Sequence, residues 1–511
     1  MIRNMFRSRL LSLALLLFAL NAHAALLITA QRSRFAGADG TVPLTFSITA
    51  TGDAQDLQVV YPDFSQTVTM VPSTEWNCSK KNTLTTCNFA HVLGADGVAQ
   101  IEFRVRFDQP YGRGGLGVSA TANVDGKSER AFASGVAVLY RRFIVTQPGD
   151  AGDGSVRAMV EALNADPLCA SVPCSIDFDI PSADGAATIA LQSALPQITG
   201  RDVLVDGSTQ SGTIGRITLD GAAVAGNALD FNVGERAEVY GLTIASFGDN
   251  AVLLRQRRTE TRQLTVSHCT IEHNLRGINF TPGYLGTALI SDNTLRDNVR
   301  SAVFDGSDHN PGVPLQPPMR IENNVITGNG ASGIFLGNGS DGALITGNRI
   351  EANRDFGIGV GPGAINVRIV GNSIAHNGNL AIDIGLDGPT LLLSQPTGDR
   401  SAAVIGTATY DPVTNTTTIT GPKPSVVPIG ICDLCITHIV SLYANDAAEH
   451  GEYAEAQTYL GDAQPNGAGF VLTVKGNLRG KFITALSTRW VNGVGSDLYN
   501  TGELSKAFQV R

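Results

Sequence analysis

An asparagine that returns every 24 residues or so constrains this chain more than any other feature. Six short motifs end on an apolar residue: Ile244, Ile271, Leu295, Ile326, Ile350 and Ile374, with successive offsets of 27, 24, 31, 24 and 24. Three positions further on stands Asn274, Asn298, Asn329, Asn353 or Asn377. Two positions before it stands Cys269, Asn293, Asn324, Asn348 or Asn372. Alternating apolar pairs follow, as in Ile334/Leu336, Ile358/Val360 and Ile382/Ile384. Period two marks strands whose apolar side chains point inward, and the glycine-rich stretches between them mark turns. A repeat of this length is one coil of a solenoid.

Elementary physics says what such a repeat does. Successive coils hydrogen-bond at a spacing of about 4.8 Å, so equivalent residues stack. Ile, Val and Leu then form a core. An asparagine at a bend satisfies turn backbone groups and its neighbours in the next coil. Asn293, Asn324, Asn348 and Asn372 are therefore expected to form a structural ladder, with Cys269 as a small buried free thiol at its base. Residues that recur in every coil are not a catalytic set, because chemistry needs a site once.

Composition fits this reading. The chain has 511 residues, 16% charged and 6% aromatic, with 57 glycines and a net charge of −9. No Lys/Arg-rich run stands out, which argues against nucleic acid as a partner. Residues 1–24 read as a secretory signal peptide: Arg3, Arg7 and Arg9 precede an apolar run from Leu10 to about Leu20, and Ala22-His23-Ala24 is a small-x-small cleavage site. The expected location is secreted, extracellular or cell-surface, or the periplasm, with no transmembrane segment after cleavage.

Strand-like alternation without a helical period fills 25–140 and 400–511, which predicts a β-sandwich on either side of a parallel β-helix spanning 141–395. Ser155 is placed to cap a short helix from Val156 to Asn164 that covers the first coil. Seven cysteines suit an oxidising compartment. The close pairs Cys78/Cys87 and Cys169/Cys174 read as short-loop disulfides. Cys432 and Cys435 form a lone C-x-x-C with only His438 nearby, which favours a small-loop disulfide or two buried thiols over zinc.

The stretch "EWNCSKKNTLTTCNFAHVLGADGVAQIEFRV", with Trp76, Cys78, Cys87 and Gly97, resembles the immunoglobulin-like repeat domain of bacterial surface proteins. That resemblance implies a spacer or presentation module. "FIVTQPGDAGDGSVRAMVEALNADPLCASVPCSIDFDI" and "LPQITGRDVLVDGSTQSG" resemble the opening of secreted right-handed parallel β-helix proteins of the pectin-lyase-like fold. Enzymes of that fold act on polysaccharides. The lyase Trp-Ile-Asp-His, the polygalacturonase Asn-Thr-Asp series and the epimerase Asp-Pro-His-Glu are absent here. The function expected is non-catalytic binding of extracellular polysaccharide or another surface, without cofactor or metal. The alternative is a polysaccharide-active lyase, hydrolase or epimerase.

One coil exceeds its neighbours by seven residues, and the excess falls within 304–319. Insertions on solenoids gather on one face, often the binding face. Asp305, Asp308 and His309 are expected on this raised wall, with Asn279 a coil earlier. Tyr284 and Phe335 are expected to offer aromatic surfaces on either side.

Overall fold

Inward alternation builds both ends of the molecule and its middle. The computed structural model describes residues 26–32, 41–62, 68–95, 97–107, 109–210, 214–255, 262–281, 286–306, 319–364, 366–386, 388, 403–424, 436–467, 469–491 and 498–511. The expected signal peptide, Tyr284, Asp308, His309, Cys432 and Cys435 lie outside them. The chain divides into two compact units near Arg142. Among the described residues no helix is long and apolar enough to cross a membrane.

In the first unit two antiparallel sheets pack face to face. One has the order Leu26–Arg32, Thr41–Ala50, Val98–Arg106, Val68–Met70. The other runs Trp76–Lys81, Leu84–Phe89, Ala54–Pro62, Gly112–Val124, Lys127–Leu139. Strict alternation along Thr41–Ala50 sends Val42, Leu44, Phe46 and Ile48 into a core shared with Val59 and Val118. Tyr61 and Phe103, one from each sheet, meet edge to face with centroids 4.7 Å apart. Cys78 and Cys87 are paired across neighbouring strands and bridged.

The second unit contains three parallel sheets of nine, eight and seven strands, the walls of a β-solenoid. The first face includes Asp202–Asp206, Arg236–Tyr240, Gln263–Ser267, Thr287–Ser291, Met319–Glu322, Leu344–Thr346 and Arg368–Val370. The second runs from Ala187–Ala190 to Ser373–Ala375, and the third from Leu229–Phe231 to Ile382–Ile384. The register places Ile189, Leu219, Ile244, Ile271, Leu295, Ile326, Ile350 and Ile374 in one inward column. None of them is more than 1% exposed. Each such side chain contributes about 1.5–3 kcal/mol by leaving water.

Two asparagine columns run along the later coils of this core. In one, Asn274, Asn298, Asn329, Asn353 and Asn377 are linked by Nδ2–H to Oδ1 bonds of 2.8–3.1 Å. The other links Asn293, Asn324, Asn348 and Asn372 at 2.9 Å. Each Nδ2 also reaches a backbone carbonyl of an earlier coil, as Asn348 does to Ile321. Cys269 is a buried free thiol whose backbone N–H donates to Asn293 Oδ1 at 2.9 Å. Before every asparagine the backbone turns left-handed: His273 (φ 58°), Asp297 (53°), Gly328 (69°), Ala352 (54°) and His376 (59°) in the first column. Asp292, Asn323, Gly347 and Gly371 hold the same place in the second. The bend costs L-residues energy, which Gly avoids and Asn or Asp tolerates.

Both ends of the solenoid are closed. The helix Val156–Ala165 is capped by Ser155, whose Oγ accepts from the Ala158 N–H, and it buries Val156, Val160 and Leu163. Arg157 donates to the Ser193 and Ala194 carbonyls, and Asn164 to that of Gln197, which fastens the helix to the first coil. Nearby, Cys169 and Cys174 are both disulfide-bonded. At the far end stands a C-terminal pair of sheets, one ordered Thr407–Asp411, Thr416–Pro422, Gly469–Lys475. The other is ordered Thr458–Ala463, Ile436–Asn445, Phe482–Val491, Leu498–Leu504. This region belongs to the same compact unit as the solenoid and supplies partners to all three walls. Thr501 bonds Val367 and Ile369, Ala456 pairs with Ile374, and Glu503 accepts from the Ile384 N–H.

Candidate functional site

Two places gather polar groups beyond the needs of the repeat. The first is the outer surface of the third wall. Register aligns Asn279, Phe304, Phe335, Gly359 and Asp383 in one outward column. Phe304 and Phe335 are partly exposed and stack with centroids 5.1 Å apart and planes 11° from parallel. The Arg276 guanidinium lies 4.8 Å from the Phe304 centroid and continues the stack. Burial first, and the neighbouring Arg300 charge second, pull the Arg276 pKa below its usual value, while Asp249 opposes them. Asn279 Oδ1 is shielded from solvent and meets no hydrogen-bond partner among the described residues.

This geometry corrects the expectation for Asp305. Asp305 is not on a wall: it points inward between Phe280 and Leu336, is 2% exposed, and accepts a 2.7 Å bond from Ser340 Oγ. One residue along a strand reverses the face, so Phe304 takes the outward place. Phe335 does face outward, with one face of its ring stacked on Phe304. Beside it, a Cβ at Gly359 would meet Leu386, Phe356 and Phe335 at 3.2–3.6 Å.

The second place is where the last coil meets the C-terminal region. Asn377 has no further asparagine to bond. Glu455 replaces it: its Oε1 accepts from Asn377 N–H at 3.0 Å and its Oε2 from His376 N–H. Glu455 is 2% exposed, and burial, with Glu449 beside it, pushes its carboxyl up to about 7. The left-handed bend at His376 turns its imidazole outward, with Nδ1 3.0 Å from Glu449 Oε1. His450 Nε2 lies 3.6 Å from Glu455 Oε1. His376, Glu449 and Glu455 each offer one ligand atom, and these lie within 4.8 Å of one another. No local sequence motif marks these four residues as a set. About 80 residues separate the two halves of this cluster. His438, by contrast, is buried with Nδ1 3.2 Å from Ser487 Oγ.

A family model described as "Periplasmic copper-binding protein (NosD)" matches residues 198–386, less than half of the chain. No curated protein matches it significantly. Among solved structures, the Agl-KA catalytic domain is 14% identical with a TM-score of 0.33, covering 70% of each chain. The catalytic unit of the GH87 α-1,3-glucanase from Streptomyces thermodiastaticus strain HF3-3 is 13% identical with a TM-score of 0.26, again over 70% of each. A GH20 exo-β-N-acetylglucosaminidase from Vibrio harveyi is 12% identical with a TM-score of 0.16 over 23% of this chain. The chain spans only 18% of that enzyme's length. Likenesses this distant say nothing about activity. What is firm is a parallel β-solenoid, similar over residues 198–386 to the NosD family.

Proposed function

We propose that this is a non-catalytic, exported or periplasmic β-solenoid protein that binds an anionic extracellular polysaccharide on its third wall. The observation that carries the proposal is Arg276, held against Phe304 beside Arg300 with its positive charge poorly compensated. A sugar carboxylate would relieve that repulsion by charge-assisted hydrogen bonds. Ring edges of Phe304 and Phe335, the positive rim of the aromatic quadrupole, suit hydroxyl and carboxylate oxygens. Asn279 stands in the same outward column, next to Phe304. The N-terminal sandwich, read as an immunoglobulin-like module, would serve as a presentation module, and the resemblance of the solenoid's opening to pectin-lyase-like proteins would accord with a carbohydrate ligand.

Among the described residues of this outward column the carboxylates are Asp230 and Asp383, and their placement favours binding over hydrolysis. Asp230 is paired with Arg255 at 2.7 Å, and Asp383 is fully buried. They sit in the first and last of seven strands, about 29 Å apart at the usual spacing. Two-carboxylate glycosidases need separations of about 5–9.5 Å. The name of the matched family suggests copper as another ligand. Among the described residues, the cluster that could hold a metal has only His376 inside the matched segment.

The test is a binding assay with the mature chain on polygalacturonate, alginate and a neutral glucan, with release of reducing or unsaturated ends followed in parallel. Retention on the acidic polymers, lost in Arg276→Ala/Arg300→Ala and weakened by salt, is expected. Equal binding by the double variant moves the ligand elsewhere, and progressive chain cleavage makes the protein an enzyme.

A further inference from the structure

We infer that the junction between the last coil and the C-terminal region is a binding site for one divalent late first-row metal ion, ligated by His376, Glu449, Glu455 and His450. The inference is independent of the polysaccharide reading and uses a different end of the molecule.

Three observations converge. The donor set is mixed, with two imidazoles and two carboxylates. Zinc and copper take such sets, whereas calcium and magnesium prefer oxygen alone. The spacing is also right. Four ligands at about 2.0–2.2 Å around a tetrahedral ion stand about 3.4 Å apart. Here His376 Nδ1 and Glu449 Oε1 are 3.0 Å apart and His450 Nε2 and Glu455 Oε1 3.6 Å, within a three-residue set spanning at most 4.8 Å. Closing the longer separations asks for movement of the exposed His376 and Glu449 side chains and of His450, which lies outside that set. Lastly, His450 Nε2 is shielded from solvent and makes no hydrogen bond among the described residues. Its nearest acidic neighbour is the buried Glu455 carboxylate.

The electrostatics agree. Glu449 and Glu455 each turn one carboxylate oxygen toward the same small space. A cation there would offset two like charges held side by side. Asp446 adds negative charge close to His376, though Lys481 pairs with it. The second shell is in place as well: backbone N–H groups of His376 and Asn377 already orient Glu455.

Bound there, an ion would join the last coil, through His376, to the C-terminal region, through the other three ligands. Binding to the folded state alone raises thermal stability by mass action. The structure thus assigns to the metal a clasp role.

Chelator-stripped mature protein should bind one equivalent of Zn²⁺ or Cu²⁺ by calorimetry, with a rise in unfolding temperature, and should ignore Ca²⁺. His376→Gln and His450→Gln should each weaken binding at least tenfold without changing metal-free unfolding. The Cu²⁺-loaded wild-type protein gives a readout that needs no variant: electron paramagnetic resonance should show coupling to two imidazole nitrogens. Failure to bind either ion, unchanged affinity in the double variant, or a copper spectrum with oxygen donors only would each overturn the assignment. Polysaccharide retention is measured separately and can fail or hold on its own.

Discussion

At the scale of single residues, the asparagine ladder shows why one side chain repeats. Asn353 donates its backbone N–H and Nδ2–H to Asn377 and reaches the Ile326 carbonyl, while its Oδ1 accepts both donors of Asn329. Asn353→Ala strands those partners in a dry interior, where each orphan costs about 1–3 kcal/mol. The expected loss is about 2–4 kcal/mol, read as a lower urea midpoint; an unchanged midpoint would refute the energetic role. Its neighbour Ala352 holds φ at 54° and is exposed. Ala352→Gly removes that strain at some cost in unfolded-chain entropy, so a gain of up to about 1 kcal/mol is expected. Much of this was legible in sequence, because a ladder repeats. The left-handed residue before each asparagine was not recognised as a rule. Its signal, a series of His, Asp, Asn and Gly, becomes coherent only when one backbone angle unites them.

At the scale of elements, register decides which face a residue serves. Ile350 lies between Ile326 and Ile374 and is fully buried. Ile350→Asp should destabilise the solenoid by more than about 4 kcal/mol, since no partner can reach the charge. Normal unfolding of that variant would contradict the inward register. Phe335→Ala is expected to act on stability as well as binding, because its ring stacks on Phe304. A loss of about 1–3 kcal/mol should appear in thermal melts. If the variant melts like wild type, the stack is not part of the framework. Reducing Cys78–Cys87, which closes a nine-residue separation, should cost the N-terminal sandwich about 2–3 kcal/mol through the unfolded chain. Asp305 shows the limit of sequence here. Beside a long insertion, alternation alone does not say whether position 304 or 305 faces out.

For the whole molecule, the central problem is ending a solenoid. Its last strands, Arg368–Val370, Ser373–Ala375 and Ile382–Ile384, would expose unpaired edges and invite self-association. The C-terminal region answers with Thr501, Ala456, Glu455 and Glu503, and the N-terminal helix covers the other end. A chain ending at residue 388 is therefore expected to associate end to end. Light scattering after size exclusion checks this, and a well-behaved monomer would show that the cap is dispensable.

The sequence by itself determined the solenoid, its period, its inward columns and its ladder, because these rest on local alternation and on repetition at a fixed interval. It also marked Ser155 as a helix cap and Phe335 as outward-facing. Tertiary structure alone decided what the outward residues meet. Phe335 stacks one face of its ring on Phe304, and Asp305 turns into the core beside Ser340. The ladder that begins at Phe247 and Asn274 ends on a glutamate some 80 residues beyond its last asparagine. Nothing local records that Glu455 takes the next place after Asn377. Chain closure brings His376, Glu449, His450 and Glu455 together, and a carboxylate can stand in for an amide only when the fold delivers it to the open end.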